Sequence, residues 1–233
     1  MIPIRDINPT TTKAYVTLLL IAFNIGVFIL LQPKNEPVAE ARFLYERAVI
    51  PCEVTGGNPL TIDEIESGRC GQDTGPQPFP AKNVYLAAVT SMFLHGGWFH
   101  LLWNMWFLWI FGNNVEEAFG KIRYIALYLV AGLAATAGFT LLNGISTIPL
   151  IGASGAVAGV LGAYAVLFPR HRVLSLVFVM VIPVPAIVFL GVWFLSQFLI
   201  ASETVAWQAH VVGFASGVAI ALALRHRLAR PIA

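Results

Sequence analysis

Residues Ile151–Gly159 read IGASGAVAG: one serine among glycines and alanines, with apolar sequence on either side. Small residues at this density let helices approach to backbone distance, as they do inside membrane bundles. The rest of the chain points the same way. Of its 233 residues, 58% are hydrophobic and 11% charged, and the mean hydropathy is +0.76. A soluble domain carries about a quarter charged residues, so this is the balance of a polytopic membrane protein. The formal net charge is +2. With no Lys/Arg run and no interleaved aromatic motif, it argues against nucleic acid as a partner.

A helix needs roughly 20 apolar residues to span the hydrocarbon core. Six segments qualify: about 15–31, 92–112, 122–142, 151–168, a fifth starting near Pro185, and 205–224. Residues 173–200 are too long for one straight span, and the prolines of IPVP (Ile182–Pro185) interrupt them. Val173–Val184 therefore reads as an embedded loop. The expected architecture is an all-α polytopic membrane protein, a single domain over 1–233 built as a compact six-helix bundle. Its long outer loop, 32–91, joins the first two spans. QPKNEP after the first span is a poor cleavage site, so that span reads as an uncleaved anchor.

Orientation follows from the basic residues. Arg5, Lys13, Lys121, Arg123, Arg170, Arg172, Arg225, Arg227 and Arg230 gather on one side. The opposite short loops, 143–150 and 201–204, hold almost none, and loop 32–91 holds five basic and eight acidic residues. Segments 1–14 and 225–233 are expected in the cytoplasm and the long loop outside. Cys52 and Cys70, the only cysteines, lie in that loop. A disulfide and two free thiols are both open there.

Strongly polar groups inside spans are costly and mark function. Ser154 lies near the outer end of span four, His210 near the outer end of span six, and His100 with Asn104 near the outer end of span two. Three helices thus bring their best hydrogen-bonding groups to one depth. A serine needs a base to become a nucleophile, and His210 can serve. No Asp occurs in any span. Glu116 and Glu117 lie at the cytoplasmic end, and Glu203 is ~10 Å from His210 along a helix axis. A hydrolase built from this inventory works through a Ser–His dyad. His100 and Asn104, spaced i, i+4, and the free N–H groups around Ser154 suit a developing oxyanion.

Gly152 and Gly155 flank the serine and leave room for a substrate backbone. Gly155 with Gly159, and Gly213 with Gly217, form small-xxx-small faces that let spans four and six meet. Taken singly, these stretches also fit plain helix packing, and His100 with Asn104 fits interhelical hydrogen bonding. No HExxH or carboxylate cluster supports a metal, and no cofactor is implied. Trp98, Trp103, Trp106 and Trp109 read as packing or anchoring residues, and Tyr164 and His171 gain no role.

TSMFLHGGWFHLLWNMWFLWIFG (Thr90–Gly112), GASGAVAG (Gly152–Gly159) and AHVVGFASG (Ala209–Gly217) come in the order and spacing of one family's hallmark stretches. IPIRDINP near the start is also a common opening there. The chain resembles a rhomboid intramembrane serine protease of bacterial type, and would sit in a bacterial cell membrane. The resemblance implies Ser154 as nucleophile, His210 as general base, and His100, Asn104 and the Ser154 amide as the oxyanion hole. It implies single-span membrane proteins as substrates, entering from the bilayer between spans two and five, with cleavage near the outer surface. An inactive relative that binds transmembrane helices is the alternative; such relatives have lost the serine or the histidine. Two positions depart from the pattern. Ala158 stands where many members place an aromatic ring against the histidine, which leaves the residue orienting His210 unassigned. Leu86 and Ala87 stand where a Trp-Arg pair is common.

Overall fold

The computed structural model describes residues 1–72, 75–199 and 206–228. Loop 201–204 with Glu203, the expected start of the last span at Val205, and Arg230 lie outside them. The elements run β1 (Ile2–Asp6), α1 (Tyr15–Leu30), α2 (Pro37–Arg47), α3 (Pro51–Gly56), α4 (Ile62–Ser67), α5 (Ala87–Ser91), α6 (Trp98–Phe119), α7 (Lys121–Leu142), α8 (Ser154–Leu167), β2 (Arg172–Val177), β3 (Met180–Pro185), α9 (Ala186–Leu199) and α10 (Trp207–Leu224). Helix α8 is central. Residues 155–165 are all buried, because α6, α7, α9 and α10 surround it. The largest core cluster is built around it from Leu108, Phe111, Tyr128, Leu161 and Phe189.

By length and composition, α7 and the stretch Trp207–Arg227 are long and apolar enough to cross a membrane, while α1, α8 and α9 are shorter apolar helices. A central helix covered on all sides by protein has no hydrocarbon to match, so its short length carries no penalty. Helix α6 is displaced from the expected span. It begins after Gly97 and runs on to Phe119, where Glu116 and Glu117 at its far end hold the start of α1 and the residues that lead into it. Glu116 is buried and accepts the backbone N–H groups of Val16 and Thr17 at 3.0 and 2.8 Å. Glu117 accepts those of Thr11 and Thr12 at 2.7 and 2.8 Å. Carboxylates supply partners for the orphan donors of a helix start and favour its positive end.

The fold is not purely helical. Val173–Val184, expected as an embedded loop, forms the hairpin β2–β3, and β1 adds to it in an antiparallel sheet of order β1-β2-β3. Pro183 and Pro185 sit in β3, which is an edge strand in this order and tolerates their missing donors. β1 is bound to the helices by side chains. Trp106 Nε1–H donates to the Pro3 carbonyl at 2.7 Å. Asn114 Nδ2–H and the Tyr164 hydroxyl both donate to Asp6 Oδ2 at 2.6 Å. Tyr164, which sequence left without a role, thus ties the chain's opening to the central helix.

Segment 32–91 is more ordered than a loop, carrying α2 to α5. Thr61 and Glu64 close a reciprocal capping box at the start of α4. Cys52 and Cys70 form a disulfide, with an S–S distance of 2.04 Å. The segment docks beside the residues that lead into α8: Val49 pairs with Leu150, and Cys52 N–H donates to the Ser146 carbonyl at 3.0 Å.

Candidate active site

Every polar residue singled out near matching helix ends comes to one place. Ser154 opens α8, His210 lies in the first turn of α10, and His100 and Asn104 lie in the first two turns of α6. Ser154 Oγ and His210 Nε2 are 2.9 Å apart. Around them is a cavity of about 900 Å³, lined by Ser154, His210, His100 and Asn104 and walled by aromatic side chains that include Trp103, Phe107 and Trp193. Ser154, His100 and His210 are half-buried, while Asn104 is only 5% exposed.

Local backbone geometry sets up the serine. Gly152 has φ +122°, in the region glycine adopts without strain, and its N–H donates to the Ser91 carbonyl at 2.9 Å. The chain then turns into α8. A Cβ on Gly152 would lie 2.7 Å from His100 Nε2 and 3.6 Å from Ser154 Oγ, so both face the volume this glycine keeps empty. Gly155, expected both to leave room for substrate and to form a packing face with Gly159, packs against neighbouring helices. A methyl there would stand 2.5 Å from the Ala135 Cβ, so this glycine lets α7 approach. Gly159, Gly213 and Gly217 meet the expectation of close packing. A methyl on Gly213 would run into the Gly155 carbonyl, and one on Gly217 into the Gly159 carbonyl. That contact of α8 with α10 brings serine and histidine within hydrogen-bond range.

The donors can be assigned from their partners. Gly96 N–H donates to His100 Nδ1 at 3.3 Å. The proton of His100 therefore sits on Nε2, toward the empty volume beside Gly152. Asn104 Nδ2 donates to the His100 carbonyl at 2.9 Å, leaving its second N–H for the cavity. The first backbone N–H groups of α8 have no intrahelical partner. A serine hydroxyl, an imidazole and several N–H donors thus share one cavity, an arrangement suited to acyl transfer.

Two residues at the site escaped the sequence reading. Gln197, 8% exposed, places its Oε1 2.7 Å from His210 Nδ1. Trp193 lies tilted against the same imidazole, with ring centroids 6.3 Å apart. Both come from α9 rather than from position 158, where Ala158 is buried. A signal for Gln197 was present: it is the one amide in AIVFLGVWFLSQFL, and an amide among apolar residues needs a partner when buried.

Comparison with known proteins identifies the family. The Rhomboid domain matches residues 82–227. RHOMBOID-like protein 1 of Arabidopsis thaliana is 32% identical over 160 residues, covering 66% of this chain and 39% of its own. Rhomboid protein 1, mitochondrial, of Saccharomyces cerevisiae is 34% identical over 128 residues, 53% of this chain and 33% of its own. Rhomboid protease GluP of Bacillus subtilis is 33% identical over 112 residues, 48% of this chain and 20% of its own. The chain spans less than two fifths of the length of these relatives. The domain match takes in all three hallmark stretches and every residue lining the serine–histidine cavity, and on that ground the chain belongs to the rhomboid family.

Proposed function

We propose that this protein is an intramembrane serine endopeptidase that cleaves transmembrane segments of single-span membrane proteins near the outer surface. The observation that carries the reading is the 2.9 Å approach of Ser154 Oγ to His210 Nε2 inside a cavity lined by oxyanion donors. The working architecture is one membrane domain with six spans, α1, α6, α7, α8, α9 and α10. Segments 1–14 and 225–233 lie on the cytoplasmic side, 32–91 lies outside, and the membrane is that of a bacterial cell. The substrate enters from the bilayer between α6 and α9, whose aromatic residues Phe107 and Trp193 border the cavity.

Ser154 Oγ attacks the scissile carbonyl carbon while its proton passes to His210 Nε2. The oxyanion is held by His100 Nε2–H, the free Asn104 N–H and the Ser154 amide. His210 then protonates the amine nitrogen as the C–N bond breaks, leaving an ester on Ser154. Water enters from the outer side and attacks the ester carbonyl, giving its proton to Nε2. The ester bond breaks and the proton returns to Ser154. Each half-reaction uses the same base and the same donors.

The test is treatment of the purified protein with a fluorophosphonate probe, read by intact mass beside Ser154→Ala and His210→Ala, and repeated in liposomes with a single-span substrate. One adduct on the wild type and none on either variant is expected. A wild type silent in detergent and in liposomes overturns the protease reading in favour of a protein that binds transmembrane helices without cutting them.

A further inference from the structure

A dyad of neutral serine and neutral histidine works only if the imidazole presents a lone pair, not a proton, to the hydroxyl. In water the two tautomers interchange, so the site must choose one. Gln197 makes that choice. Its Oε1 can only accept, so at 2.7 Å the His210 Nδ1 must carry the proton and Nε2 must carry the lone pair that faces Ser154. The amide itself cannot turn over. Its Nε2 donates to the Trp193 carbonyl at 3.0 Å and reaches Ser196 Oγ at 3.3 Å, and a flip would set two carbonyl oxygens against each other. Trp193 bounds the face of the same imidazole.

We propose that Gln197 is the third member of this site, a neutral positioning residue that holds His210 in its Nδ1–H tautomer and aims Nε2 at Ser154. This rests on the protease reading above. The relay then spans three helices, with Ser154 on α8, His210 on α10 and Gln197 on α9. An amide suits the place better than a carboxylate. Gln197 is buried and α9 brings no charged residue, so an amide supplies the acceptor without the hydration loss that an ionised acid would suffer while His210 is neutral. Amides fill the third position in some cysteine proteases for the same geometric purpose.

The test compares Gln197→Met, which keeps the side-chain length and removes the acceptor, with Gln197→Glu, which keeps an acceptor in either protonation state. Fluorophosphonate acylation rates and single-span substrate kinetics are measured in liposomes. The His210 tautomer is read separately by nitrogen-15 NMR of histidine-labelled protein. Gln197→Met is expected to slow acylation roughly a hundredfold, the low end of what a positioned base contributes. KM stays unchanged, and the ring drifts to a tautomer mixture. Gln197→Glu is expected to stay within about threefold of the wild type and to keep the proton on Nδ1. Wild-type acylation by Gln197→Met, or a wild-type His210 protonated mainly on Nε2, overturns the inference. A wild type that never acylates sinks the protease reading instead; the tautomer of His210 with and without the Gln197 acceptor then decides the inference alone.

Discussion

Lys82 and Glu53 form a deeply buried ion pair in segment 32–91, 2.6 Å apart with side chains each 2% exposed. Burial pushes the Glu53 carboxyl up and the Lys82 ammonium down, while the charge of each opposes the shift of the other. The pair is also anchored to the backbone. Lys82 Nζ donates to the Tyr45 carbonyl at 2.6 Å, and Glu53 Oε1 accepts the Leu60 N–H at 3.1 Å. Removing one partner leaves the other charge buried and uncompensated. Lys82→Met is therefore expected to destabilise the segment by about 3–5 kcal/mol, seen as faster proteolytic nicking within residues 32–91. Adding Glu53→Gln should recover much of that loss. If the double variant is nicked as fast as Lys82→Met, the pair's electrostatics are not what holds the segment.

The pairing of α8 with α10 rests on glycines in contact with backbone, which makes it the least forgiving junction around the site. In Gly217→Ala the new methyl meets the Gly159 carbonyl. Backbone has no rotamer to yield, so α10 must move away and carry His210 with it. A stability loss of roughly 1–3 kcal/mol is expected from overpacking, with at least a tenfold drop in fluorophosphonate labelling as the Ser154–His210 distance opens. Gly191 on α9 is the control, since a Cβ there meets nothing within 4 Å. Gly191→Ala should leave labelling unchanged and raise stability by about 0.5–1 kcal/mol, the helix preference of alanine over glycine. Equal labelling in Gly217→Ala and Gly191→Ala would refute the coupling of packing to chemistry.

Across the whole molecule, the sheet joins parts far apart in sequence. β1 is held to α6 through Trp106 and Asn114 and to α8 through Tyr164, and β3 runs straight into α9. The N-terminal end of α9 is therefore tied to the bundle by residues Ile2–Asp6. Near the other end of α9, the Gln197 amide meets His210. Asp6→Ala removes the shared acceptor of Asn114 and Tyr164. A loss of roughly 2–3 kcal/mol is expected for hydrogen bonds to a charged group, read as a lower Tm in detergent. Amide exchange across residues 172–185 should speed up. Unchanged exchange there would show that β1 does not hold the hairpin.

The membrane class, the apolar segments and the four main polar residues of the cavity were legible in the linear chain. Hydropathy, small-residue spacing and rare intramembrane polar groups are local properties, and Ser154, His210, His100 and Asn104 announced themselves as polar groups near matching helix ends. The strand at Ile2–Asp6 was not legible, because a strand exists only through its partner and that partner lies some 170 residues away. Nor was the partner of Gly155, which is Ala135 of a different helix. The same holds for the contacts that Glu116 and Glu117 make with the start of α1 and the residues that lead into it. Gln197 shows the same division. Its chemistry could be read from one letter among apolar neighbours, but that its carbonyl lies 2.7 Å from His210 was decided by the packing of α9 against α10. Side-chain type is written residue by residue, whereas a hydrogen-bond partner is chosen only when the helices close on one another.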